Sequence, residues 1–144
     1  MKKISGKIFT VKVKVERPQE DGLVKKVAEE YACSAVNFTD CEAKIIKEVG
    51  SADNVKGSFD IVAETITPVR LVYVFDEGDI FYKVKIQEVT IDDFCKERKS
   101  NVYYLVNATS FEQARKNIVE ALGGLTKDMT IAAVVEQKIL ECFE

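Results

Sequence analysis

Val11-Lys12-Val13-Lys14-Val15 is matched 71 residues further on by Tyr82-Lys83-Val84-Lys85-Ile86. Both stretches alternate apolar and basic residues, the period-two signature of a strand with one buried and one solvated face. At the same displacement, Thr39-Asp40-Cys41-Glu42-Ala43-Lys44 is matched by Ser110-Phe111-Glu112-Gln113-Ala114-Arg115. Two different kinds of pattern recurring at one spacing mark a doubled supersecondary unit, a tighter constraint on architecture than local propensity.

Outward from the first stretch, Phe9, Val11, Val13 and Val15 line one side of a strand over residues 8–16. Pro18-Gln19-Glu20-Asp21-Gly22 supplies a turn, because proline presets φ and Asp-Gly accepts turn geometry. A second strand within 24–36, alternating Val27, Glu29, Tyr31, Cys33 and Ala35, completes a hairpin. Thr39-x-x-Glu42 then has the form of a capping box. The helix behind it is expected to bury Ala43, Ile46 and Val49 and to stop at Gly50. A strand from Ser58 to Ile66 follows, then Pro68 and the β-forming run Val69 to Phe75.

The second half repeats these events. Strands 81–90 and 101–108 precede a helix capped by Ser110-x-x-Gln113, which carries Phe111, Ala114, Ile118 and Leu122 and ends at Gly123-Gly124. Strand Met129 to Gln137 and a shorter strand, Lys138 to Phe143, complete it. Asp76-Glu77-Gly78-Asp79 reads as a tight hairpin turn joining strand 69–75 to strand 81–90. The expected fold is α+β: two ββαβ-type repeats, about 8–75 and about 80–144, with pseudo-two-fold symmetry and mainly antiparallel sheet. The two helices are expected to pack through Ala43/Ile46 and Ala114/Ile118. No low-complexity linker separates the halves, so 1–144 reads as a single domain; one continuous sheet and two packed sheets both fit.

The composition is that of an ordinary globular chain, 47% apolar and 31% charged. Its apolar runs are too short to cross a bilayer. Lys7, Lys12 and Lys14 interrupt what would be the apolar region of a secretory signal, so a cytoplasmic location without a membrane partner is expected. The absence of histidine removes Ser-His, Cys-His and His-metal chemistry. The four cysteines, Cys33, Cys41, Cys95 and Cys142, have neither zinc nor disulfide spacing and read as buried free thiols. A net charge of −3 argues against a duplex-DNA binder but leaves room for a local basic face.

That face is the main candidate for binding chemistry. Lys12, Lys14, Lys83 and Lys85 project from matching strands, opposite the valines. Phe81 points to the same side of its strand, and Tyr103 is assigned there as well. Basic sheet faces with aromatic side chains hold single-stranded nucleic acid through phosphate contacts and base stacking. The same pattern also describes a solvated outer face whose lysines prevent edge-to-edge pairing, the commoner use. Asp76 to Asp79, Asp92-Asp93 and Glu20-Asp21 read as turn chemistry, so no metal or cofactor is expected. Cys41, in the first helical turn but without a histidine, reads as a packed thiol. No catalytic constellation emerges, and the chain is read as a non-enzyme.

The strand from Phe9 to Val15, Val24-Lys25-Lys26-Val27 leading to Tyr31, and Phe38-Thr39 with Glu42-Ala43 carry a family resemblance. So do Phe75-Asp76-Glu77-Gly78-Asp79, Phe81-Tyr82-Lys83-Val84-Lys85, Tyr104-Leu105-Val106 and a last strand ending in Phe143. Taken together, the chain resembles a domain-of-unknown-function family of small proteins from Bacteroides-type gut bacteria and their phages. The resemblance implies a cytoplasmic protein borne by a mobile element and brings no activity or site residues. The leading expectation is a non-enzymatic binding or adaptor protein with a protein partner, an accessory factor of phage or mobile-element DNA metabolism. The alternatives are a single-stranded nucleic-acid binder using the lysine face, and a counter-defence protein capturing a small nucleotide between the repeats. A second copy of the chain is a further candidate partner.

Overall fold

The computed structural model describes residues 1–50 and 59–144. Strand β1 (Lys2–Ile4) leads into a hairpin of β2 (Lys7–Pro18) and β3 (Val24–Ala35), then helix α1 (Phe38–Ile45), which continues as one π turn at Ile46–Gly50. Strands β4 (Phe59–Ile66) and β5 (Val69–Val74) follow. A second hairpin, β6 (Ile80–Ile91) and β7 (Glu97–Ala108), precedes helix α2 (Phe111–Ala121) and strands β8 (Met129–Gln137) and β9 (Ile139–Phe143). Ser58, the expected start of β4, lies outside the described residues.

The fold is α+β with two mixed sheets, ordered β4-β2-β3-β9 and β1-β5-β7-β6-β8. The two long hairpins therefore belong to separate sheets, which excludes one continuous sheet. The chain divides into two compact units: Gly6–Thr67 with Lys138–Glu144, and Met1–Ser5 with Pro68–Gln137. In the four-stranded unit, Phe9, Val11, Val13 and Val15 of β2 pack with Tyr31 and Cys33 of β3 and with Cys41 and Ile45 of α1. In the five-stranded unit, Tyr82, Val84 and Ile86 of β6 pack with Tyr104 and Val106 of β7 and with Ala114 and Ile118 of α2. Burying a side chain of this size contributes about 1.5–3 kcal/mol, so the alternating valines of the sequence are the main support of each unit.

Three expectations are corrected. The first concerns β5, which does not form a hairpin with β6. It runs parallel to β7, which lies between the two. The Phe75–Asp79 connection crosses the end of β7 so closely that a Cβ on Gly78 (φ 128°) would lie 2.6 Å from the Ala108 backbone. Buried Asn107 pins this crossing: its Oδ1 accepts from the Phe75 N–H at 2.6 Å, and its Nδ2 donates to the carbonyls of Phe75 and Gly78, each at 2.9 Å. Likewise β9 follows β8 in sequence but runs parallel to β3 in the other unit. Each sequence half thus sends its last strand into the other half's sheet.

The second correction is the displacement. Lys7 and Ile80 open the two hairpins and Phe38 and Phe111 open the two helices, a spacing of 73 residues rather than 71. The helix caps follow the same spacing. Asn37, not Thr39, caps α1 by accepting from the Asp40 N–H at 2.8 Å, while Asp40 accepts from the Val36 N–H at 3.0 Å. Ser110 does cap α2, accepting from Gln113 N–H at 3.2 Å, but the Gln113 side chain turns to Asn117 instead of closing a box.

The third is the buried face of α1, which is Cys41, Ile45 and then Val49, whereas Ile46 is exposed. The expected pairing through Ala114 and Ile118 holds in α2, but Phe111 is largely exposed.

The hairpin turns are built alike. Gln19 N–H donates to Leu23 C=O and Asp92 N–H to Lys96 C=O, with Gly22 (φ 83°) and Cys95 (φ 58°) left-handed at the fourth position. Asp92 organises its turn by accepting from the N–H groups of Phe94 and Lys96 and from the Arg98 Nε, which together hold its carboxyl below the usual range. Cys95 is the one described non-glycine residue at positive φ, a conformation that costs an L-residue roughly 1–2 kcal/mol. Cys95→Gly should therefore raise unfolding stability by about 1 kcal/mol in urea denaturation.

Candidate functional site

The proposed binding residues divide between the units. Lys12 and Lys14 lie exposed on the outer face of the four-stranded sheet. Lys12 stands directly opposite Glu30 of β3, and Lys14 directly opposite Asp60 of β4. Opposite charges at facing positions offset one another, so this pair presents little net field to a polyanion.

Lys83 and Lys85 lie half-buried on the face of the five-stranded sheet opposite α2, which also carries the buried Val72, Phe81 and Leu105, and their surroundings differ. Lys83 faces Leu105 and Val135 across the ladder, and Lys85 faces Tyr103 and Ala133. No carboxylate occupies any of these four positions. The Lys83 ammonium sits 4.9 Å from the centroid of the Tyr103 ring, within cation–π range. Lys83, Lys85, Tyr103, Ala133, Val135 and Gln137 line a hollow of about 290 Å³. Phe81, expected to offer a ring for stacking, is instead 5% exposed and serves as packing. The structure therefore brings Lys83, Lys85 and Tyr103 together, places Lys12 and Lys14 in the other sheet and takes Phe81 out of reach.

Ala133, Val135 and Gln137 enter the hollow through the pairing of β8 with β6, a neighbour relation that no local pattern encodes. A second feature absent from the sequence reading is the buried amide relay of Gln113, Asn117 and Asn107. Asn117 Nδ2 donates to the Asn107 C=O at 2.9 Å, and Gln113 Nε2 to Asn117 Oδ1 at 2.8 Å. Its one visible signal is Asn107 inside the apolar run Leu105-Val106-Asn107-Ala108, where a buried amide must find partners.

The other perturbed groups are structural. Burial pushes the Cys41 thiol up to about 12, the reverse of an activated nucleophile. Tyr31 also rises to about 12, first through burial and then through its hydrogen bond to Glu29, whose Oε1 also accepts from Arg17 at 2.8 Å. Glu64 is held above the usual carboxylate range by burial and by its neighbour Glu42. Cys33, Cys41 and Cys142 are buried and Cys95 is exposed. Among the described residues, no three His, Cys, Asp or Glu side chains converge as a metal site, and no helix is long and apolar enough to cross a membrane.

A family model for a domain of unknown function, DUF4494, matches residues 7–144. The chain belongs to the DUF4494 family. No curated protein and no solved structure matches it. For this DUF4494 chain, the candidate site thus rests on its own geometry.

Two measurements check the assignment of these groups. Tyr103→Ala should cost less than about 1 kcal/mol of stability, whereas Tyr104→Ala, which empties a buried position, should cost about 3 kcal/mol or more. In the second, Cys41 and Tyr31 are neutral in the folded chain and ionise earlier once unfolded, near 9.0 and 10.0. Their contribution is complete below the unfolded values and is lost as pH climbs toward the folded values. The urea midpoint should be flat from about pH 7 to 8.5 and fall beyond about pH 9. Cys41→Ala, which installs the residue found at the matching Ala114, should make that fall shallower without abolishing it, since burial also raises the Cys33 thiol.

Proposed function

We propose that this chain is a non-enzymatic binding protein, built by internal duplication with pseudo-two-fold symmetry, and that Lys83, Lys85 and Tyr103 receive single-stranded nucleic acid. The observation that carries the reading is the Lys83 ammonium over the Tyr103 ring, beside Lys85, in a hollow with no carboxylate opposite either lysine. A base stacking on Tyr103 would take the place of the ammonium, freeing Lys83 to meet a phosphate. The hollow is near the lower end of small-ligand sites, a size suited to one nucleotide unit of a longer strand.

Comparison of the two hairpins supports the choice of unit. At the 73-residue spacing, Lys83, Lys85 and Tyr103 correspond to Thr10, Lys12 and Glu30. One copy keeps two cations and a ring; the other keeps one cation facing an acid. Ring packing within each copy is more alike: Phe9 meets Phe38 at 5.1 Å as Tyr82 meets Phe111 at 4.9 Å, and Tyr31 meets Phe143 at 5.6 Å as Tyr73 meets Tyr104 at 5.7 Å. A shared scaffold with one divergent surface is the pattern expected when a single copy carries the binding role. Four cysteines without disulfide or zinc spacing suit a reducing cytoplasm, where an accessory role to mobile-element DNA would be exercised.

The test is fluorescence anisotropy with labelled oligothymidylate and oligouridylate. The parent protein should bind with a log–log salt slope of about −1.4, the value for two phosphate contacts on a single strand. Lys83→Glu with Lys85→Glu should abolish binding, Tyr103→Ala should weaken it ~10-fold, and Lys12→Glu with Lys14→Glu should leave it near the parent value. Absence of binding by the parent at low salt, or equal loss in both lysine pairs, contradicts the reading.

A further inference from the structure

The face of β6 and β7 that carries Lys83, Lys85 and Tyr103 continues past the hollow toward the tip of the hairpin. The two strands keep one register from Ile80 opposite Ala108 to Ile91 opposite Glu97, so alternate residues stay on one face throughout. Beyond Lys85 opposite Tyr103, that face holds Gln87 opposite Asn101 and then Val89 opposite Lys99. Exposure grows along it. Phe81 is buried, Lys83 and Lys85 are half-buried, and Asn101 and Lys99 are exposed. A strand seated in the hollow is therefore closed off at Phe81 and open toward the tip. From Lys83 to Val89 the face runs about 20 Å, more than one nucleotide unit can fill.

The other hairpin supplies the contrast. At the 73-residue spacing, Lys99 and Val89 correspond to Lys26 and Glu16, which stand directly opposite each other in β2 and β3. Phe94 corresponds to Asp21 of the matching turn, as Tyr103 corresponds to Glu30. Glu16, Asp21 and Glu30 of one copy are thus a valine and two aromatic residues in the other, while Lys12 and Lys26 persist as Lys85 and Lys99. A merely solvated face gains from facing opposite charges, so keeping both lysines without their acids points to an anion as partner. Phe94 lies in the turn and is 82% exposed. Its turn is already ordered: Asp92 Oδ1 accepts from the Phe94 and Lys96 N–H groups at 2.9 and 3.0 Å, and Oδ2 from Arg98 Nε at 3.0 Å. A ring presented this way costs little further ordering when it binds.

We infer that a single strand held at the hollow runs along this face to the hairpin tip, where Lys99 meets a further phosphate and Phe94 stacks a further base. This extension rests on the nucleic-acid reading of the hollow. Between the two ends, the amides of Gln87 and Asn101 offer uncharged donors and acceptors to the strand. Glu97, opposite Ile91 on the same face, closes the basic stretch beyond Lys99. The last phosphate is therefore met at Lys99, and the nucleotide past it is met by a ring instead of a charge.

The experiment compares labelled tetrathymidylate and dodecathymidylate on the full-length protein by fluorescence anisotropy. The short oligomer should keep the log–log salt slope of about −1.4 set by the two lysines of the hollow, and the long one should steepen it to about −2.1 through Lys99. Lys99→Glu should return the long oligomer to the shallower slope and weaken it at least ~10-fold. Phe94→Ala, which keeps the backbone N–H that Asp92 holds, should weaken it ~10-fold. Neither variant should move the short oligomer. Lys26→Glu, the same charge change at the matching position, should leave both near the parent value. A long oligomer indifferent to Lys99→Glu and Phe94→Ala, or weakened equally by Lys26→Glu, overturns the extension and leaves the hollow standing. Failure of both oligomers to bind the parent removes the hollow and the extension together.

Discussion

The structure depends on two parallel pairings, β5 on β7 and β9 on β3. Each of these strands follows, in sequence, a strand of the unit it leaves. Neither sheet can therefore be completed by one contiguous stretch of chain, and each core waits on residues from the other half. The crossing after β4 is held locally: the Thr67 N–H and Oγ1 both donate to the Ile8 carbonyl, at 2.9 and 2.8 Å, just before Pro68. Pairings this distant in sequence must offset loop-closure entropy before they return any stability, so folding should be slow for a chain of this size.

What the sequence discloses about this architecture follows from the difference between periods. Strands repeat every two residues, so reading the internal match at 71 instead of 73 still places Val11, Val13, Val84 and Ile86 on buried faces. Helices repeat every 3.6 residues, and the same slip of two turns the expected face by about 200°. That is why both hairpins were legible while the match of Ala43 to Ala114 misplaced the face of α1, where Cys41 takes the buried position of Ala114. The exchange of last strands was not legible at all, because β5 and β9 carry apolar patterns that would suit either sheet.

The candidate site shows the same division. Lys83, Lys85 and Tyr103 could be named from alternation alone. Which of the four lysines face acids could not, since Glu30 and Asp60 become neighbours only through pairing register. The polar staples at the helices add a comparable contrast. In one unit Asn117 reaches the Asn107 carbonyl; in the other Lys44 Nζ reaches the Ser34 carbonyl at 2.8 Å while lying 3.5 Å from Asp40. The same geometric task is met by a neutral amide in one unit and a charged group in the other, which marks the scaffold contact as structural and the side chain as replaceable.

The exchange of strands is most directly tested by interstrand nuclear Overhauser effects in the full-length protein. Backbone contacts between Val72 and Leu105 and between Cys142 and Ala32 are the expected result, because these residues are aligned in the two parallel ladders. Contacts that instead join β5 to β4, or β9 to β8, as consecutive hairpins within each half would contradict the account.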